Sequence, residues 1–205
     1  TLVDEIARLA LGGSDRTASA KSDGADPRGR ASTITVADDF VAFNEECEAR
    51  NWSDGLPLIP PTPARVEAMI AVSKRAAADV VARVAPGYGA ATVERIAINA
   101  VMAGCRPGYM PVLIAAVDAI ADPKFNLQGI QATTNSATPW LIVSGPIAAT
   151  LGINAGLNCI GQGTRANATL GRAIRFILQN VGGALPGQMD RATHGQPGKY
   201  TFCCA

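Results

Sequence analysis

Histidine is almost absent from this chain, with one, His194, in 205 residues. A zinc site built on several histidines is thereby excluded, and any Ser/His or Cys/His pairing has to use His194. Charged residues are also sparse, 17% against 48% hydrophobic, which describes a folded chain and not a disordered one. No apolar run reaches the ~18 residues of a membrane-spanning helix. The opening Thr1-Leu2-Val3-Asp4-Glu5 has neither the basic start nor the apolar centre of a signal peptide. Five cysteines (Cys47, Cys105, Cys159, Cys203 and Cys204) form no C-x-x-C pair, and their odd number does not suit a secreted disulfide scaffold. Reduced thiols in a cytoplasmic protein are the expectation.

Acidic residues are missing from one long stretch. Residues 1–60 carry 11 acids and 6 bases, residues 61–205 carry 6 acids and 12 bases, and no Asp or Glu occurs from Pro123 to Met189. A paired-carboxylate mechanism cannot be built within that stretch. Its cations, Lys124, Arg165, Arg172 and Arg175, suit a pocket for a small anionic substrate. They are too scattered for a nucleic-acid footprint, which needs a clustered basic face. The expected partners are a small anion, with no nucleic acid and no membrane.

The apolar pattern predicts a helix-rich α/β or α+β fold with a small buried sheet. Residues 1–35 read as an N-terminal arm or linker, rich in Gly, Ser, Asp and Arg beyond Gly12, and residues 36–205 as one domain. Helices are expected from about Ala37 to Arg50 with Phe40, Val41, Phe43 and Cys47 apolar, and again after Thr62-Pro63 with Val66, Met69 and Ile70 inward. Proline stiffens the Trp52–Pro61 segment between them, as a connector or a ligand clamp. Val93, Ile96, Ala97, Ala100 and Val101 fall at helical spacing, and a further apolar helix covers Pro111–Ala121. Asn99 lies on the first of these, either inward or at the surface. Leu127–Thr133 and Trp140–Ser144 read as short buried strands. Thr164–Val181 reads as a long amphipathic helix with Leu170, Ile174, Ile177, Leu178 and Val181 facing the core and Arg172, Arg175 and Gln179 facing elsewhere.

Two features point to chemistry. Ile153–Gly163 has five Gly or Asn residues in eleven and leads into the 164–181 helix. Free N–H groups at such a helix start, with Asn158, Gly161, Gly163, Thr164, Arg165, Asn167, Arg172 and the more distant Arg106, make a candidate anion cradle. The spacing is neither a dinucleotide fingerprint nor a P-loop, and an ordinary glycine-rich loop capped by Thr164 is the plain alternative. The second feature is the cysteines beside turns: Cys105 before Arg106-Pro107, Cys159 in the Gly/Asn loop, and Cys203-Cys204 at the end. Loop thiols near arginine or helix starts have lowered pKa values and react as thiolates or bind metals. Cys105, Cys159 and Cys203 from three separate loops would hold an iron–sulfur cluster with one open iron, or Cys203-Cys204 a soft metal ion. Thiol–disulfide exchange is equally compatible. Burial in the core is the alternative for each thiol, and the expected role of Cys47. His194, in a loop, is the candidate general acid/base, or a solvated side chain. The polar run Thr133-Thr134-Asn135-Ser136 is either a substrate-orienting cluster or a plain turn.

Asn51-Trp52-Ser53-Asp54-Gly55-Leu56-Pro57 with Pro60-Pro61-Thr62, Ala103-Gly104-Cys105-Arg106-Pro107 and Arg165-Ala166-Asn167-Ala168-Thr169 resemble a broad bacterial family of poorly characterised proteins, associated with selenoproteins named for a U-G-S-C motif. The resemblance runs from about residue 38 to the end. It implies that family members continue beyond the segment matching Phe202-Cys203 into an acidic stretch and a second half. On that basis this chain is expected to be the N-terminal half of a longer product, cut or encoded separately, with a second polypeptide supplying carboxylates. Thr1 in place of Met agrees with processing. The expected function is a cysteine-dependent enzyme on a small anionic substrate, of lyase type. A thiol–disulfide redox enzyme, or a non-catalytic structural or ligand-binding subunit of a hetero-oligomer, is the alternative.

Overall fold

Helix formation in this chain follows its caps. The computed structural model describes residues 6–7, 31 and 33–205. Most of the expected arm therefore lies outside the described residues. Two parts of it are described: β1 (Ile6–Ala7) pairs antiparallel with β2 (Thr33–Ile34), and the Ala31 N–H donates to Glu94 Oε2 at 2.7 Å. Asp39 then caps α1 (Phe40–Ala49), its carboxylate accepting from the Ala42 N–H, and Phe43 and Cys47 point inward. Phe40 and Val41, expected in the same apolar set, are exposed. Pro63 occupies the first position of α2 (Pro63–Ser73), which buries Val66, Met69 and Ile70.

A hairpin unforeseen in the sequence follows, β3 (Val80–Val84) against β4 (Gly89–Thr92), antiparallel with one bulge. It feeds the central helix α3 (Val93–Ala103), capped by Thr92 and closed by Gly104 in the left-handed region at φ 90°. Every residue of α3 except Arg95 is buried, so its apolar spacing marks only one side of a helix packed all round. Asn99 is among them, with its amide donating to Arg95 O and accepting from Asn180. After a short 3₁₀ turn, α4 (Met110–Ala121) carries Pro111 in its first turn and buries Leu113, Ala116, Val117 and Ile120.

The stretch 127–133, expected as a strand, is helical. Asn126 accepts from the Gly129 N–H and starts α5 (Leu127–Ala132), whose buried residues Leu127 and Gln131 are four apart. That i, i+4 pair is a helical signal, but one of its members is polar and the run is too short to show a period. The second expected strand shrinks to β5 (Leu141–Ile142). Pro146 then opens α6 (Pro146–Leu151), also unforeseen, which ends at Gly152. The long helix is α7 (Arg165–Phe176), which runs on as a π-helical turn at Ile177–Val181. It packs against α3, with Leu170, Ile174, Ile177, Leu178 and Val181 in the core as expected. Finally β6 (Cys203–Cys204) lies parallel to β5, Leu141 opposite Cys203. The result is a helix-rich mixed fold with seven α-helices among the described residues and strands only in pairs.

Candidate functional site

The polar side of α7 faces protein. Arg172 donates through Nε and Nη2 to the two carboxylate oxygens of Asp54, 2.7 Å each, and also to Leu56 O and Pro57 O. Gln179 donates to Asn51 O and Ser53 O, and Asn180 to Trp52 O. Arg175 pairs with Asp190 and donates to Ala184 O. The Trp52–Pro61 segment is thus a connector held by α7. Arg172, expected to bind an anion, already holds one inside the chain. Asp54, within the Asn51–Pro57 motif, is thereby tied to α7 three residues beyond the Arg165–Thr169 motif.

The loop before α7 is organised in the same way. Asn167 accepts from the Asn154 N–H at 2.8 Å and donates to Asn154 O at 2.9 Å and Cys159 O at 2.7 Å. Asn158, at φ 58°, donates to Gln162 O, and its amide fills the space a Cβ on Gly161 would need. Gly163 has φ 116° with open space around it. Thr164 is the N-cap residue but makes no side-chain cap bond. Arg165, exposed, donates through Nε and Nη2 to Gly104 O. Two residues beyond that carbonyl stands Arg106, also exposed. Of the expected cradle, Asn158, Asn167 and Arg172 spend their polar atoms on the fold, and only Arg106 and Arg165 present charge to solvent.

The thiols contradict the expected activation. Cys105 is buried and donates from Sγ to Thr169 O at 3.2 Å. Burial pushes its pKa from 9.0 up to about 12, and the positive charges of Arg165 and Arg172 do not offset it. Cys203 is driven from 9.0 to about 12 by burial, with Cys204 adding to the effect, and Cys47 reaches about 12 for the same first reason. A turn beside an arginine was the signal for a low pKa, and desolvation outweighs it. Cys204 is buried and Cys159 half-buried. Among the described residues no three His, Cys, Asp or Glu side chains come together in a set that could hold a metal ion. The expected cluster ligand set Cys105, Cys159 and Cys203 is therefore not assembled.

His194 is exposed, in a segment that runs beside the 131–136 stretch: Arg191 N–H donates to Gln131 O, Thr193 N–H to Thr134 O, and Gln196 Nε2 to Ser136 O. Thr133 caps its own turn, accepting from the Asn135 N–H. The polar run is a turn tied to the 191–196 segment.

What the structure does assemble is apolar. Trp140 and Phe202, 62 residues apart in sequence, stack with ring centroids 4.8 Å apart and planes within 8°. Beside them opens a groove of about 270 Å³ lined by Ala119 and Ile120 of α4, Phe125, Leu141 and Ile142 of β5, and Ile174 of α7. Gly171 lets the chain end reach this place, since a Cβ there would lie 2.4 Å from the Phe202 nitrogen. Trp140 is 49% exposed and Ile142 58%. Sequence reasoning missed these residues. Their one visible signal was a tryptophan and a phenylalanine at the edges of proline- and polar-rich segments.

No family model matches this chain, and no curated protein or solved structure matches it either. Among the described residues no helix is long and apolar enough to cross a membrane.

Proposed function

We propose that this chain is a binding subunit whose working surface is the apolar groove beside β5, and that it acts together with another polypeptide. The stacked Trp140–Phe202 pair carries this reading, because an aromatic stack left half in solvent over an apolar hollow is the kind of surface that proteins use for partners. The sheet supports it. A parallel pair of two-residue strands is far from the covered, multi-stranded form in which parallel strands are normally found. Ile142 alternates away from the ladder that Leu141 and Val143 make with Phe202 and Cys204, so its own N–H and C=O point to the open edge.

Cys159 favours a second reading, a thiol-dependent enzyme of lyase type on a small anion. It is half-buried in the loop leading to α7, near the positive helix start, with Arg165 exposed on the first turn.

Both readings are tested by two measurements on the purified chain. An apolar dye such as anilinonaphthalene sulfonate is expected to brighten on binding, and Ala119→Glu and Ile142→Asp each to remove that response. Ellman's reagent at pH 8 is expected to leave Cys105 and Cys203 unmodified in the folded protein. A dye response unchanged by both substitutions overturns the groove reading. The second reading requires Cys159 to react while Cys105 and Cys203 do not, and a Cys159 that stays unmodified in the folded protein overturns it.

A further inference from the structure

We propose that the open edge of β5 pairs with the same edge of a second copy of this chain, antiparallel across a two-fold axis, joining the two small sheets into one. This goes beyond the groove reading and does not depend on it. Along Trp140–Ser144 the main chain alternates. Leu141 and Val143 donate their N–H groups to Phe202 O and Cys204 O. Among the described residues the N–H and C=O groups of Trp140, Ile142 and Ser144 have no hydrogen-bond partner. The side chains alternate with them: Val143 is buried and Leu141 half-buried, while Trp140, Ile142 and Ser144 are exposed. Three residues therefore offer six unpaired backbone groups along one edge, beside solvent.

An edge of this kind is normally guarded by a charge, a proline, a bulge or a covering element. No residue from Trp140 to Ser144 is charged or proline, and no Asp, Glu, Lys, Arg or His occurs from Asn126 to Thr164. The groove lining beside Leu141 and Ile142 holds no charged side chain either. This absence, together with the register, selects a second copy. Like charges facing each other across the two-fold axis would bar an edge from pairing with itself, and this strand carries none. Read antiparallel, the set 140, 142 and 144 meets itself. Ile142 stands opposite Ile142 of the second copy, and Trp140 of each copy opposite Ser144 of the other. Each of these is a pair that exchanges N–H···O=C bonds in both directions, so every open group on the edge is used. The same patch serves both molecules, and such a contact closes at two. The outer strand of the joined sheet is β6 in each copy, where Cys203 and Cys204 are buried, so no third copy adds.

Sedimentation equilibrium and amide hydrogen exchange across a concentration series test this. The unaltered chain is expected to pass from monomer to dimer, and no further, as concentration rises. In the same samples exchange at Trp140, Ile142 and Ser144 is expected to slow in step with the dimer fraction. Leu141 and Val143, already bonded within one molecule, are expected to change little. Ile142→Lys and Ile142→Glu each set like charges against one another at the centre of the pairing, and each is expected to stay monomeric. Position 142 is exposed and takes no part in the β5–β6 bonds, so both variants are expected to keep the wild-type circular dichroism spectrum. An equal mixture of the two is expected to dimerise again, less so in high salt, because opposite charges then meet. Should either variant lose its fold, the amide pattern of the unaltered chain decides alone. A wild-type chain that is monomeric at every concentration overturns the proposal and leaves the edge to a strand of another polypeptide. So does a dimer whose three edge amides stay unprotected, or a mixture of folded variants that stays monomeric. If no dimer forms while the dye still binds in an Ala119-dependent way, this inference fails and the groove reading stands. A chain that dimerises with its edge amides protected but binds no dye upholds this inference and removes the groove reading.

Discussion

Arg172 straddles Asp54, with Nε on one carboxylate oxygen and Nη2 on the other, each at 2.7 Å, across 118 residues of sequence. Both side chains are largely out of water, at 14% and 5% exposure. A paired charge in that position contributes modestly, but an unpaired one is costly. The guanidinium also closes on Leu56 O and Pro57 O and lies over the Phe176 ring, so one side chain fixes the connector to α7 in several ways.

Arg172→Ala is therefore expected to destabilise the fold by about 3–5 kcal/mol, by leaving Asp54 buried without a partner. Arg172→Lys keeps the charge but cannot fork across both oxygens, and is expected to fall between wild type and the alanine variant. Urea unfolding midpoints check both. A loss in the alanine variant below about 1 kcal/mol, the range of a surface pair, would show that the clamp does not hold the connector.

This contact also shows what the sequence reveals and what it hides. Helix α3 was legible because Val93, Ile96, Ala97, Ala100 and Val101 repeat at helical spacing and Gly104 ends the pattern; its Thr92 cap is seen only in the structure. Arg172 reads from the sequence as an anion-binding residue off the core face, and Asp54 only as part of a motif, because nothing local says that a charge has a partner 118 residues away. Cys105 failed for the same reason. Its turn and its neighbouring arginine are local, whereas the Thr169 carbonyl above it and the burial that sets its pKa are not. The groove is assembled from α4, the 125 turn, β5, α7 and the chain end, so no window of sequence contains enough of it to stand out.

The buried thiols make stability sensitive to alkali. Cys47, Cys105 and Cys203 ordinarily lose a proton near 9.0 and in the folded chain hold it to about 12. Between those values the unfolded chain binds fewer protons than the folded one, so stability is present in full below pH 9.0 and declines as pH rises towards about 12. Chemical denaturation at a series of pH values is expected to show that decline. Cys105→Ala is expected to make it shallower while lowering stability slightly at neutral pH, through the small cavity it leaves. An unchanged slope in the variant would mean that Cys105 titrates alike in both states.

Asn167 decides whether the loop before α7 is a braced element or a slack one. Its amide is 3% exposed and makes three hydrogen bonds across the loop base, to the Asn154 N–H, Asn154 O and Cys159 O. Removing it leaves those backbone groups without their partner, at a cost of about 1–3 kcal/mol for each that stays buried. Asn167→Ala is accordingly expected to keep the α3–α7 core, to raise amide exchange through residues 153–163, and to speed modification of Cys159 by a thiol reagent. Asn167→Asp removes the two donor bonds and sets a carboxylate against the carbonyls of Asn154 and Cys159, so its loss of stability is expected to exceed that of the alanine variant. Exchange rates equal to wild type across 153–163 would place the rigidity of the loop in Asn154 and Asn158 instead, whose bonds to Leu157 O and Gln162 O survive the substitution.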